Sequence, residues 1–424
     1  MSEPRDGGRV VRLLSGSILD QALLSGANFA AGLLFVRHGS AQAYGLYVLV
    51  TATLLLVTGM QGALISTPLS VIVAGRDEVE RAAMTRTLLT AQFRLWLPGA
   101  AVAFLLLTAS AAAGWLPPGA ARAGQVACVI APILLAREFL RSTLLLYGRI
   151  PALLVADALY VALQVAVVAA AVQLASAPVP VVLAGSGAAA LLATAVAWTA
   201  FGRQVGWSQR RVPGALGKVL RLGGWGFAGA LVTWLQNQGF YYLLAGLAGA
   251  PEVALVAAAR LLLTPVNLML MGIGPSLLPQ AARWHAERGL GPLCGRLGLI
   301  ALALLAGAAA YVALLWLLRV PIVGGLLRLD PAALTPLLLL WAAAAAMLVC
   351  RTLAMIALQA LSRFRRLLWL AAIAAALSLL AAWWGIGQFG AAASIAGVLL
   401  GETIYLIGTL LSLRTERRFP TPPG

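Results

Sequence analysis

Apolar residues run along this chain in long unbroken blocks, at roughly 15–36, 43–73, 88–110, 123–147, 151–175 and 180–201, then at roughly 223–246, 252–282, 298–318, 333–361, 367–386 and 391–412. Each block is about as long as the roughly 20 residues that carry a helix across a hydrocarbon core of about 30 Å. The blocks lack the strict apolar/polar alternation of barrel strands. Lipid offers a backbone no hydrogen-bond partner, so blocks of this length predict helices. The pattern predicts an all-α, polytopic membrane protein of about twelve transmembrane helices. The longest polar break, 202–222, is basic and punctuated by Gly and Pro, and it divides the blocks six and six. The expected organisation is a tail at 1–14, an N-lobe at 15–201, a linker at 202–222, a C-lobe at 223–412 and a tail at 413–424.

Composition removes the soluble alternative. The 424 residues are 62% hydrophobic and only 10% charged, with a mean hydropathy of +0.94, whereas soluble domains carry roughly a quarter charged residues. The net charge of +17 comes from Arg and a single Lys218, which raises nucleic acid as a partner until the cations are placed. If the N-terminus is cytoplasmic, 21 of the 30 basic residues fall in inner loops and tails. Only Arg37, Arg122, Arg319 and Arg328 fall in outer ones. That split is a positive-inside signal. It predicts two cytoplasmic termini in a bacterial cytoplasmic (inner) membrane and removes the need for a nucleic-acid partner. Met1 to Arg12 is polar and basic, and the run after it carries Asp20 and Asn28 without a small-residue cleavage pattern, so it reads as a tail and not a removable signal. Cys128, Cys294 and Cys350 are isolated, so no disulfide, metal or cofactor is expected.

The two halves resemble each other weakly. A shift of 209 residues superposes Arg12 on Arg221, Asn28 on Asn237, Met60 on Met269 and Glu78 on Glu287, and keeps the block boundaries in step. Catalysis finds little support. Lys218 has Val212 where a phosphate-binding loop needs its first Gly. The longest outer loop, 319–332, offers only Asp330, and His38 and His285 lie at opposite faces. The chain reads as a non-enzyme.

Five arginines remain inside the blocks: Arg94, Arg137, Arg141, Arg260 and Arg351. Ionic side chains are costly in lipid and face a bundle interior or a wet cavity. In block four Arg137 and Arg141 share a face at i and i+4, with Glu138 placed to pair with Arg141. Two planar guanidiniums on one face suit phosphate or pyrophosphate. Polar stripes at i, i+4 and i+7 (or i+3 and i+7) recur as Gln21/Ser25/Asn28, Asp157/Tyr160/Gln164, Arg260/Thr264/Asn267 and Glu402/Tyr405/Thr409. Each stripe fits either hydrogen bonding between helices or the wall of a shared cavity. Arg260, about 10 Å from the outer face, is the deepest cation of the second half, and Glu402 is the acid placed to meet it.

The residues resemble the MOP flippase superfamily, in particular the Wzx-like polysaccharide and lipopolysaccharide biosynthesis exporters. The similarity lies in Tyr44-Gly45-Leu46-Tyr47 opening block two, in Arg137-Glu138-Phe139-Leu140-Arg141 ahead of Arg149-Ile150-Pro151, and in Ala257-Ala258-Ala259-Arg260-Leu261 followed by Pro275 and Pro279. The resemblance implies a two-lobed, MATE-like transporter with a V-shaped cavity that moves a polyprenyl-pyrophosphate-linked oligosaccharide outward by alternating access. Its partners would be that anionic lipid-linked glycan, membrane lipids and other polysaccharide-assembly membrane proteins. It implies that Arg137, Arg141 and Arg260 meet the pyrophosphate while Gln21, Asn28, Asn237, Gln238, Tyr241 and Asn267 line the sugar path. Two alternatives stay open: a cation-coupled multidrug exporter of the MATE branch, with Asp20, Asp157 and Glu402 as coupling sites, and a membrane-embedded glycan polymerase or ligase. The excess of intramembrane Arg over acid favours an anionic cargo, and the missing large outer loop disfavours the polymerase.

Overall fold

A computed structural model describes residues 4–74, 76–204 and 211–418, and of 4–15, 17, 18, 204, 271, 272, 274–276 and 418 it describes the backbone only. Among these residues 91% of the structure is helix and no strand occurs. Contacts divide the chain into two compact units, Met1–Leu231 and Val232–Gly424.

The first unit contains α1 (Pro4–His38), α2 (Ala41–Gln61), which passes through a π-helical turn at Gly62–Ser66 into α3 (Thr67–Ile72), α4 (Glu78–Ala112), α5 (Pro118–Leu146), α6 (Ile150–Leu174) and α7 (Pro178–Gln204). The division between units falls within α8 (Ala215–Trp234). The second unit holds a π turn at Leu235–Gly239, α9 (Phe240–Ala248), α10 (Ala250–Leu262), α11 (Thr264–Arg288), α12 (Leu290–Leu317), a π-helical stretch at Val320–Leu326, α13 (Pro331–Ala360), α14 (Phe364–Phe389) and α15 (Ala391–Arg418).

Among the described residues ten helices are long and apolar enough to cross a membrane, and the bent pair α10/α11 raises the number to eleven. Twelve were expected. The missing member is the block at 223–246, where a π turn splits the helix and Lys218 and Arg221 dilute the hydropathy of α8. Helices also overrun the apolar blocks. α1 begins at Pro4 inside the expected tail, α8 begins at Ala215 inside the expected linker, and α15 runs to Arg418. Residues 205–210 of that linker lie outside the described residues. Hydropathy marks only the part of a helix that sits in lipid, and water supports a helix beyond it. α4 illustrates the point: its 35 residues reach about 52 Å, well beyond one hydrocarbon core, so Arg94 lies in its first half and is exposed.

The packing order repeats. In the first unit α7 packs on α5 and α6, α5 receives α2 and α4, and α1 lies on α6. In the second, α15 packs on α13 and α14, α13 receives α11 and α12, and α9 lies on α14. This is the pairing that the 209-residue shift anticipates. Close approach is secured by small residues: a Cβ on Gly397 or Gly401 of α15 would come within 2.7 Å of Ser378 atoms on α14, the small-xxx-small arrangement of membrane helix pairs. Large apolar residues such as Leu105, Leu174, Leu299, Trp383 and Trp384 are exposed, the kind of surface that a lipid environment covers.

Candidate substrate and coupling site

The first unit gathers its charges into one closed cluster. On α5, Arg137 and Arg141 are one turn apart; Asp20 comes from α1 and Asp157 from α6. All three guanidinium nitrogens of Arg141 are engaged, Nη2 with Asp20, Nη1 with Glu138 Oε1 at 2.9 Å and Nε with Asp157 Oδ2 at 3.0 Å. Arg137 donates to the other oxygen of Asp157 and lies 3.7 Å from the centroid of the Tyr160 ring. Asp20, Arg137 and Asp157 are buried. The cluster therefore unites residues expected to bind cargo, Arg137 and Arg141, with residues expected to couple ions, Asp20 and Asp157. Its formal charge is two cations against three carboxylates. The fork of Arg141 is filled by the protein's own carboxylates and Arg137 is already paired with Asp157, so the pyrophosphate expected there meets arginines that the protein has itself neutralised. Sequence spacing placed the two arginines on one face correctly, but it could not bring Asp20 across from a helix 121 residues away.

Around this cluster the expected stripes divide. Asp157 and Gln164 are buried and Tyr160 carries Arg137, so that stripe faces the unit's interior. In α1 the interior face is instead Asp20, Ala27, Ala31 and Phe35. Gln21 and Ser25 are half-buried and Asn28 is exposed. A buried polar bridge that the sequence reading did not single out joins Gln61 Nε2 to Gln92 Oε1 at 2.6 Å and to the Leu135 carbonyl at 2.7 Å, tying α2, α4 and α5.

The second unit arranges its charges around space. Arg260 on α10, Asn267 on α11, Asn237 in the π turn, Trp341 on α13 and Glu402 on α15 line a small cavity of about 30 Å³, room for a water or two. Arg260 Nη1 donates to the Asn237 carbonyl at 2.9 Å, and its guanidinium lies 5.0 Å from the Trp341 ring and 5.9 Å from that of Tyr241. Among the described residues it forms no ion pair. Glu402 pairs with Arg351 at 2.6 Å and accepts from Gln236 Nε2 at 3.1 Å. The expected partnership of Glu402 with Arg260 is thus corrected: both line the cavity, but the carboxylate is held by Arg351. A π turn lengthens the backbone by one residue per turn and frees carbonyls, which is how Asn237 offers its oxygen to Arg260 while its side chain returns to the Thr233 carbonyl.

The stripe Arg260/Thr264/Asn267 is not one helical face, because the chain bends by 55° between α10 and α11. Pro265 causes the break: it has no N–H for the Leu261 carbonyl and its ring would clash with it. Thr264 Oγ1 donates to that carbonyl instead, at 2.7 Å, and leaves the cavity wall. Tyr311 from α12 secures the bend through the Leu262 carbonyl at 2.7 Å. Of the remaining expected residues, Tyr241 is buried against Phe240, and Gln238 does not line the cavity. In the stripe of α15, Tyr405 donates to the Leu367 carbonyl and Thr409 to Tyr405, so only Glu402 faces the cavity. Gln236 and Trp341 were missed; a Trp in mid-block was the one available signal. Among the described residues no group of carboxylates, His and Cys is arranged to hold a metal ion.

Neither a protein-family model nor a curated protein matches the sequence. Solved structures do. An inward-facing multidrug-resistance MATE transporter of the MOP superfamily aligns with a TM-score of 0.74 at 14% identity over 93% of this chain and 96% of its own. The lipid II flippase MurJ, in an inward closed conformation, aligns with a TM-score of 0.76 at 10% identity over 94% of this chain and 88% of its own. A MOP transporter from Pyrococcus furiosus, whose binding pocket of reverse polarity suggests a different function, aligns with a TM-score of 0.62 at 16% identity over 96% and 95%. At these identities the likeness is one of fold, and the chain has the fold of the MOP-superfamily transporters.

Proposed function

We propose that this protein is a flippase that moves a polyprenyl-pyrophosphate-linked oligosaccharide across the cytoplasmic membrane, for polysaccharide or lipopolysaccharide biosynthesis, by alternating access. The observation that carries the reading is Arg260. A guanidinium without a carboxylate of its own, at the wall of a polar cavity in an apolar helix bundle, is a costly feature, and an anionic cargo group compensates it. Arg260 takes the pyrophosphate, and Asn267 contributes its amide to the polar head. The lipid II flippase among the similar structures supports a lipid-linked cargo, and for the Pyrococcus protein a binding pocket of reverse polarity suggests a different function. The Asp20/Asp157 cluster serves coupling, because its surplus carboxylate can accept a proton within the bundle. Its two arginines hold that site in place.

The test is lipid-linked glycan analysis in cells lacking the protein, complemented with the wild type or Arg260→Ala. Accumulation of the intermediate on the cytoplasmic leaflet, rescued by the wild type and not by Arg260→Ala, supports the reading. Normal glycan export together with loss of efflux of cationic drugs would replace it with the multidrug exporter, and turnover of the glycan by the purified protein with a polymerase or ligase.

A further inference from the structure

The second unit has another cavity that shares no residue with the Arg260 site. It opens between α12, α13 and α15 and has a volume of about 390 Å³. Its walls are aliphatic, built from residues such as Leu297, Ala354 and Leu406, and its one charged edge is Arg414 and Arg417. An apolar cavity does not hold ordered water, and this one has room for on the order of a dozen methylene-sized groups. The volume is that of one fatty acyl chain. Gly298 lines it beside open space, since a Cβ there would meet nothing within 4 Å.

Arg414 and Arg417 stand at i and i+3 near the end of α15, on one helical face. Both are exposed, and among the described residues neither forms an ion pair. The nearby arginines differ, since Arg363 and Arg366 share Glu416 at 2.9 and 2.6 Å. An arginine at a helix end can simply snorkel to the headgroups. Here two free guanidiniums border a slot that would otherwise be empty, and an arginine pair suits a phosphate.

We propose that this groove is a binding site for an anionic phospholipid, with one acyl chain in the slot and the phosphate on Arg414 and Arg417. The charge asymmetry of the loops puts this end of α15 at the cytoplasmic leaflet, where anionic phospholipids attract basic side chains. A bilayer phospholipid fits better than the lipid tail of a transported cargo, because the slot holds one short chain and is separate from the Arg260 cavity. The assignment does not depend on the identity of the cargo.

The test is native mass spectrometry of the purified full chain equilibrated with equal amounts of phosphatidylglycerol and phosphatidylcholine of identical acyl chains. The wild type should retain phosphatidylglycerol at least tenfold over phosphatidylcholine. Arg414→Gln combined with Arg417→Gln should abolish the preference, Arg365→Gln, outside the groove, should leave it, and Gly298→Leu should fill the slot and lower retention of both lipids at least fivefold. Equal retention by the wild type, or a preference that survives the double substitution, overturns the proposal. Co-purification of a polyprenyl-pyrophosphate lipid that the double substitution releases overturns it as well, by making the slot part of the cargo path. Should the double variant fail to fold, the two single substitutions and the wild-type preference decide.

Discussion

Each unit holds one cluster of intramembrane charges, and the two clusters are built to opposite plans. In the first, three carboxylates surround two arginines, every nitrogen of Arg141 is taken, and the groups are packed against one another. In the second, the one carboxylate, Glu402, pairs with Arg351, a small cavity lies beside it, and Arg260 rests on a backbone carbonyl and an aromatic ring. The first cluster is formally one charge negative and the second one charge positive. An intramembrane arginine is therefore no sign of anion binding by itself. What matters is whether the protein has already supplied the anion.

The comparison breaks most visibly at Arg141. Replacing it with Ala leaves Asp20, Glu138 and Asp157 without their common cation, and removing one partner from a buried ion network costs about 3–5 kcal/mol. We expect Arg141→Ala to abolish well-folded protein, read as loss of the monodisperse peak in fluorescence-detected size exclusion. A normal melting temperature would mean that the cluster is a binding site after all.

Arg260→Ala should do the reverse. Stability should fall by no more than about 1 kcal/mol, because the group has one neutral hydrogen bond and stacking contacts. Export of lipid-linked glycan should fall at least tenfold, about 1.4 kcal/mol of lost interaction. If the melting temperature drops as far as for Arg141→Ala while export per folded molecule is unchanged, the contrast between the units is wrong.

Glu402→Gln sharpens the electrostatic half of the contrast. It takes the cavity from two cations and one anion to two cations alone, so a pyrophosphate-bearing lipid should bind about three- to tenfold more tightly, measured by competition in nanodiscs. Arg351 loses its charged partner, and stability should fall by about 1–3 kcal/mol. Unchanged affinity would separate Glu402 from the cargo. The smallest effect is expected at Thr264, whose hydroxyl serves the bend and not the cavity. Thr264→Val should cost about 1 kcal/mol or less in thermal stability and leave export as it was; a large export defect would return Thr264 to the cavity wall.

The periodicity argument succeeded on α6 and misplaced the inward face of α1, where Asp20 and not Gln21 is buried. Asp157, Tyr160 and Gln164 share an inward face on α6 because nothing interrupts the 3.6-residue repeat between them. It failed at Arg260/Thr264/Asn267, where Pro265 was legible in the sequence as a breaker but the angle of the break was not. The same limit explains Glu402. It was the acid placed to meet Arg260, but position along one helix says nothing of which neighbour's arginine reaches it, and Arg351 does. Asp20 was legible as an ionic group in lipid, and its partner was not, because a one-dimensional reading cannot tell which helix lies beside α1.

By itself the sequence determined that the chain is helical and that it is built for a membrane. Those properties follow from local chemistry, since hydrocarbon tolerates only backbones that satisfy their own hydrogen bonds and every residue of a block reports on that independently. The tertiary structure alone decided which arginines are already neutralised and which one faces a cavity. That outcome depends on charges contributed by helices more than 100 residues apart in sequence, brought together by small-residue packing and by π turns and proline bends whose geometry no pattern along the chain encodes.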